Sequence, residues 1–340
     1  MPVTQPSSSS PAIELESLTR TFRVPHRPAT VALDGVDLEV PQGQIVGLLG
    51  ENGAGKTTLA KILSTLLLPT SGTARILGHD VAAETRAVRD LVTPVFGGDR
   101  GLYPMLSGRE NLRYFGAVHA VPHRELRRRM PELLEAAGLA EAADRRVETY
   151  SKGMRQRLHV CIGLLTRPRV LLLDEPTVGL DPAESARLRD VVAQFPADGT
   201  TVLLTSHNLL DVERLAERVL VLQQGRLTHD LTLEQFRRLT GYEAVVTVTL
   251  GPSQHGASGE EPELTPALAA MGASLQAVDG EGTRILLKVQ RWSAEVLVRL
   301  AAELSGRQIV DVQVRPATLD DAFTHAVSSP LAPAGSEVEA

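Results

Sequence analysis

Gly50-Glu51-Asn52-Gly53-Ala54-Gly55-Lys56-Thr57-Thr58 fits G-x-x-x-x-G-K-[ST], a glycine-rich loop whose backbone N–H groups cradle phosphates. Its flanks supply the context such a loop requires. Gln44-Ile45-Val46-Gly47-Leu48-Leu49 is a short apolar run suited to a buried strand. Leu59, Ile62, Leu63 and Leu66 recur at i, i+3, i+4 and i+7, one face of a helix. Glycines let the backbone approach an anion closely, and the new helix presents unpaired N–H groups and a positive dipole end. Lys56 is placed to reach β- and γ-phosphates, and the Thr57 hydroxyl to ligate Mg²⁺. A coincidental glycine turn is the plain alternative, and a chance match in such a chain is roughly one in a hundred.

The chain has 340 residues, enough for two domains or one with an appendage, and 43% of them are hydrophobic. A net charge of −6 gives no general electrostatic case for nucleic-acid binding. Cys161 is the sole cysteine, so there is no intramolecular disulfide, and its apolar helical setting argues for a core position. No uncharged apolar stretch approaches the ~20 residues of a spanning helix. The Ser- and Pro-rich residues 1–11 lack the layout of a signal peptide and read as a disordered arm.

In chain order, Ile13–Phe22 and Val31–Val40 read as strands separated by a proline-broken loop. Phe22 just upstream of the glycine loop is either a base-stacking ring or an ordinary strand residue. A short strand at Ala74–Leu77 and another at Leu91–Phe96 precede a helical region beginning near Tyr103. Arg127-Arg128-Arg129 reads as a solvated helix face more readily than as a phosphate or headgroup site. Ser151 stands at the N-cap of a helix whose Met154, Leu158, Cys161, Ile162 and Leu165 share one face; a helix start with serine and glycine also suits a phosphate.

Val170–Leu173 is a continuous apolar run ending in Asp174-Glu175, and Thr201–Thr205 ends in Ser206-His207. Two carboxylates at the end of a buried strand are costly unless a cation or hydrogen bonds use them. In open α/β sheets ligands lie outside the carboxyl ends of strands. The glycine loop, Asp174 and His207 would therefore surround one nucleotide.

Residues 13–228 resemble the nucleotide-binding subunit of ABC transporters, with five motifs in that family's order. They are the loop Gly50–Thr58, the signature Tyr150-Ser151-Lys152-Gly153-Met154-Arg155-Gln156, the Walker B strand Val170–Glu175, the D-loop Gly179-Leu180-Asp181-Pro182 and the switch histidine His207. The resemblance implies an α/β P-loop NTPase fold, with a helical subdomain at about 102–165 inside a nucleotide-binding domain at 12–240. It implies ATP bound along Gly50–Thr58, with Thr57 and Asp174 toward Mg²⁺, Glu175 as general base, and Lys56 and His207 at the γ-phosphate. It implies two subunits closing face to face, so that Ser151, Lys152, Gly153 and Met154 touch the other copy's ATP, with Asp181 at the same interface. It also implies a separate membrane permease and a peripheral place on the cytoplasmic membrane face.

Two departures stand out. The signature has Tyr, Lys and Met where the common form has Leu, Gly and Gln, while its serine and second glycine remain. The position of the Q-loop glutamine is Gly98, with Asp99 next to it.

Beyond residue 240 the pattern β-α-β-β-α-β suggests a small ferredoxin-like α+β domain at 241–327, with a disordered tail at 328–340. Ala317-Thr318-Leu319-Asp320-Asp321-Ala322-Phe323 resembles the tail of drug-resistance ATPases of antibiotic-type export systems. The reading is an ATPase driving export of a drug-like or lipid-like molecule. Soluble ABC ATPases acting on ribosomes or DNA carry paired cassettes or long coiled coils, and this chain has one loop and no heptads. An ATP-sensing regulator is supported only by Gly98.

Overall fold

The computed structural model describes residues 10–26, 28–96, 101–194, 199–251, 265–271, 273–278, 282–305 and 307–328. Most of the N-terminal arm, the residues after 328, and Gly98 with Asp99 lie outside them. The chain divides into two compact units at Leu233/Glu234, a few residues before the change in composition near 240.

The first unit runs β1 (Ile13–Phe22), β2 (Thr30–Val40), β3 (Ile45–Leu49), α1 (Lys56–Leu63), β4 (Ser71–Ile76), β5 (His79–Asp80), α2 (Thr85–Leu91) and β6 (Val92–Phe96). It continues with α3 (Gly108–Val118), α4 (His123–Ala136), α5 (Lys152–Leu164), β7 (Val170–Asp174), α6 (Pro182–Val192), β8 (Thr201–Thr205), α7 (Leu209–Leu215), β9 (Arg218–Gln223) and β10 (Arg226–Thr232). One sheet has the order β10-β9-β3-β8-β7-β6 and the other β2-β1-β4-β5. In the first, β3, β7 and β8 are buried at every residue, as expected of parallel strands covered on both faces. Leu59, Ile62 and Leu63 of α1 join a core with Ile13 and Leu18 of β1 and with Val46, Leu172 and Leu203, so the helix is gripped by residues of both sheets. Each such side chain contributes about 1.5–3 kcal/mol on full burial.

The sheet register positions the chemistry. Leu48 pairs with Thr205, Thr205 with Asp174, and Asp174 with Phe96. The carboxyl ends of four strands therefore finish in one row.

Two expectations are corrected here. Helix α1 stops at Leu63, with Thr65 in the left-handed region at φ 61°. Leu66 and Leu67 both donate their N–H groups to Lys61 O, and Leu66, expected on the buried face, is 60% exposed. The arginine run is also not one solvated face. Arg129 is buried and donates to Leu164 O at 2.6 Å, whereas Arg128 reaches Glu132 at the surface.

The helical part of this unit is tied by polar links. Ser107 and Glu110 form a reciprocal capping box at α3. Asn111, fully buried, bonds Ser107 O and both backbone groups of Tyr103. Tyr150 OH donates to Ala142 O at 2.7 Å.

The second unit takes in most of α8 (Leu233–Arg238), then β11 (Ala244–Leu250), α9 (Pro266–Ala270), β12 (Ala273–Val278), β13 (Gly282–Val289), α10 (Ala294–Glu303), β14 (Ile309–Pro316) and α11 (Leu319–Ser328). Its sheet has the order β12-β13-β11-β14, antiparallel throughout. Each strand–helix–strand unit skips one strand, the interlocked split-βαβ arrangement. Val246, Val248, Ile285 and Leu287 form its core with Leu268 of α9 and Leu300 of α10.

Candidate nucleotide site

The loop after β3 is shaped by glycines with no steric alternative. A Cβ on Gly50 would lie 2.4 Å from Leu222 O, and one on Gly55 2.3 Å from Ala32 O. Gly55 also has φ 112°, a conformation that costs other residues strain. The turn between β9 and β10 braces the loop, with Gly225 donating its N–H to Ala54 O at 3.1 Å. A hollow of about 150 Å³ over the loop is lined by Asn52–Thr58 and Glu175.

Lys56 is 5% exposed, and its Nζ donates to Gly50 O at 2.6 Å and Glu51 O at 3.1 Å. Burial lowers its pKa, opposed by the charges of Glu175 and Asp174. A buried cation with such weak compensation is poised for a stronger anion. The first turn of α1, which no side chain caps, adds unpaired N–H groups and a positive dipole end beside it.

Asp174 closes β7 and is 8% exposed. Thr205 Oγ1 donates to its Oδ1 at 2.5 Å and Thr57 Oγ1 to its Oδ2 at 3.0 Å. A hydroxyl beside a carboxylate is a hard-oxygen pair that suits Mg²⁺. Among the described residues no group of three or more His, Cys, Asp or Glu side chains could enclose a metal, so a cation here takes most of its ligands from elsewhere.

Glu175 comes next in the chain at φ 51°, a region costing a non-glycine residue about 1–3 kcal/mol. Its N–H donates to Thr205 O at 3.0 Å, with Thr205 Oγ1 also in range at 3.2 Å. This left-handed kink separates the two carboxylates: Asp174 stays in the sheet edge, while the Glu175 side chain is 29% exposed and 3.2 Å from His207 Nδ1.

The segments carrying Glu175 and His207 are joined by Asp211, which is fully buried. It accepts from Thr177 Oγ1, from Ser206 Oγ at 3.1 Å and from Arg189 at 2.7 Å. Sequence reading missed Thr205, Asp211 and Thr177. For Thr205 the signal was present, since aligning the last residues of two adjacent buried strands sets it opposite Asp174.

Ser151 caps α5, accepting from Met154 N–H at 3.1 Å. Gly153 is tight: a Cβ would lie 2.2 Å from Glu184 Oε2, whose carboxylate pairs with buried Arg157 and with Arg187. Lys152 Nζ lies 2.2 Å from where a Cβ on Gly179 would be, and Gly179 has φ 68°. The signature thus touches the D-loop. Asp181 caps α6 through Glu184 N–H at 2.9 Å. Lys152 lines a larger cleft of about 940 Å³ with Thr57, Phe96, Asp174 and Glu175; Ser151, Gly153 and Met154 line neither hollow. Phe22 ends β1 opposite Thr30, 37% exposed, with the Arg20 guanidinium 4.6 Å above its ring.

Loop, strand-end acid pair and switch histidine, in this topology, define an ATP-hydrolysing cassette. The chain belongs to the ATP-binding proteins of ABC transporters: the "ABC transporter" family model matches residues 33–178. It is 40% identical over 86% of its length to daunorubicin resistance ATP-binding protein DrrA3 of Streptomyces coeruleorubidus, covering 90% of that protein. It is 35% identical to doxorubicin resistance ATP-binding protein DrrA of Mycobacterium tuberculosis, over 88% of this chain and 89% of that one. Its fold is similar to that of the dimeric cassette MJ0796 in a post-hydrolysis state with ADP and Pi. There the TM-score is 0.59 at 26% identity, covering 65% of this chain and 98% of the other.

Proposed function

We propose that this chain is the motor subunit of an exporter, binding and hydrolysing ATP to drive a separate membrane permease that expels a drug-like molecule. The observation that carries it is the hollow that Lys56, Thr57 and Glu175 line together, with Asp174 bonded to Thr57 and His207 3.2 Å from Glu175 at the neighbouring strand ends. The relatives named for daunorubicin and doxorubicin resistance, matched over most of their length, support the substrate class. Among the described residues no helix is long and apolar enough to cross a membrane, which fits a subunit bound to the cytoplasmic membrane face through its permease.

In this reading the loop N–H groups and Lys56 hold the β- and γ-phosphates. Thr57 and Asp174 would hold Mg²⁺, which would supply positive charge against the phosphates. Glu175, turned out of the strand, orients the attacking water, and His207 senses the γ-phosphate from beside it. Phosphoryl transfer asks mainly for position and charge stabilisation, which these groups supply without a glutamine at Gly98. The second half of each site comes from another copy: Ser151, Gly153 and the N–H groups that open α5 cover its ATP, with Asp181 alongside. The exposure of Ser151 and Asp181 at the starts of the helices they cap supports this sharing.

Glu175→Gln keeps the shape and removes the base. Phosphate release is expected to fall about 10²–10⁴-fold, while ATP binding persists and ATP shifts the protein to a dimer on gel filtration. Unchanged turnover would exclude Glu175 as the base, and a monomer saturated with ATP would exclude the shared site.

A further inference from the structure

Strand β14 (Ile309–Pro316) is exposed at all eight positions although it lies in a sheet with a buried core. It is an edge strand, with β11 as its single neighbour among the described residues. Val312 and Val314 pair with Val248 and Val246 and so share their face of the sheet. The β11 valines are fully buried, whereas Val312 and Val314 are 41% and 44% exposed. Val310 adds a residue 63% exposed where the register shifts between Thr249 and Leu250. Among the described residues the apolar face therefore continues onto β14 and is left partly exposed there.

Among the described residues the outer backbone of this edge also has no strand partner. Gly251 N–H donates to Gln308 O and Ala317 N–H to Glu243 O, each at 2.8 Å. Counting back from Ala317 through the regular register, Arg315, Gln313 and Asp311 direct their N–H and C=O groups to β11. Val312 and Val314 direct theirs to the open edge. An exposed edge strand whose outward-directed residues Val312 and Val314 have no proline or lysine between them is a template for another strand.

The charges of the strand select the occupant. An antiparallel pair of β14 strands centred on Gln313 sets Val312 against Val314 of the other copy. It sets Asp311 against the other copy's Arg315, twice by symmetry. Sliding two residues toward the N-terminus of β14 loses both charge pairs, and sliding four brings Asp311 against Asp311. Sliding two the other way sets Val312 against Pro316, which has no N–H. Within its own chain Arg315 also pairs with Asp321 at 2.6 Å, and Asp311 accepts from Gln313 Nε2 at 2.8 Å, so the contact between copies adds to pairs already present.

We propose that β14 is a self-pairing edge, through which the second units of two copies of this chain join their sheets without nucleotide. About four backbone hydrogen bonds, between Val312 and Val314 of each copy, close the seam. The exposed valines of the two copies then cover one another. Such a tether would keep a second cassette at high effective concentration, which gives the C-terminal unit a role in the sharing of sites proposed above. It does not depend on that sharing.

Cysteine cross-linking of the full chain without nucleotide tests this. Cys161 is the sole native cysteine and is buried, its thiol pKa pushed up by burial to about 12, so an introduced thiol reports alone. In the centred register Gln313 faces its own copy in a non-hydrogen-bonded pair, with Cα atoms about 4.5 Å apart, inside disulfide range. Gln313→Cys is expected to form an intermolecular disulfide at least about tenfold faster than Ser274→Cys on the opposite edge strand β12. Val312→Pro removes an N–H that the β11 ladder does not use, so it spares the fold and blocks the seam. Added to Gln313→Cys, it is expected to abolish the cross-link and leave a nucleotide-free monomer in sedimentation. Glu175→Gln carrying Val312→Pro is still expected to dimerise with ATP, which separates this seam from the shared nucleotide site. Equal cross-linking at 313 and 274, or a Gln313→Cys disulfide that survives Val312→Pro, would overturn the proposal. Faster cross-linking by Val312→Cys than by Gln313→Cys would overturn its register.

Discussion

Around the glycine loop, side chains at the strand ends are held by other parts of the chain. Asp174 is bonded by hydroxyls from α1 and β8, Lys56 by two carbonyls, and the switch segment by buried Asp211. At the start of α5 the situation differs. Among the described residues the Ser151 side chain bonds its own helix and the Asp181 side chain the helix it caps, and both side chains are exposed. The first region is organised in advance for a charged ligand, which is where electrostatic catalysis has its largest effect. The second is the start of a helix, held in place by Gly153 packing on Glu184 and by Lys152 lying over Gly179. In the proposed reading the first region is the floor of one nucleotide site and the second the lid over the other copy's.

The largest expected effect breaks the floor. Lys56→Ala removes the buried cation and is expected to reduce ATP hydrolysis to background, with nucleotide binding severely weakened in a fluorescence titration. Hydrolysis within tenfold of the parent would mean that Lys56 does not face the phosphates. Next comes the bracing of the acid. Thr205→Val keeps the shape of β8 but strips Asp174 Oδ1 of its donor. Losing a buried, charge-linked hydrogen bond costs about 1–3 kcal/mol, so a lower midpoint in urea and a raised Mg²⁺ requirement are expected. An unchanged Mg²⁺ requirement would show that Asp174 needs no such positioning. The smallest effect touches the lid. Gly153→Ala forces Glu184 away from α5, and a loss of about 1–3 kcal/mol of stability is expected from overpacking. ATPase activity should fall while ATP affinity at the loop is kept; a parallel loss of affinity would contradict the separation of floor and lid.

Much of the floor was legible in the sequence because it depends on strand ends. A run such as Val170–Leu173 suits a covered strand, and the residues after such a strand emerge at the sheet's carboxyl edge. Thr205 escaped notice because its importance lies in register, and Asp211 because its partners come from α6 and from loops before and after it. The φ of 51° at Glu175 is imposed by the surrounding chain and leaves no mark on composition. Leu66 misled because helical periodicity cannot register where Ser64 and Thr65 let the helix stop. Gly153 was read through its place in the signature, yet its packing reason is Glu184, 31 residues away. The charge pattern of β14 gained meaning only once that strand was known to be an edge.

The claim that each nucleotide site is shared can be tested by mixing two defective chains. Ser151→Asp preserves the helix cap, since aspartate caps as well as serine, but sets a negative charge against the other copy's phosphates. Alone, Ser151→Asp and Lys56→Ala should each be inactive. In a pair containing one of each, both defects fall in the same site and the other site is intact. Mixed in equal amounts and allowed to exchange, the two should recover up to about a quarter of parental ATPase activity, as expected for random pairing in a two-fold dimer. Phosphate release that stays at the level of the separate variants would contradict the shared site.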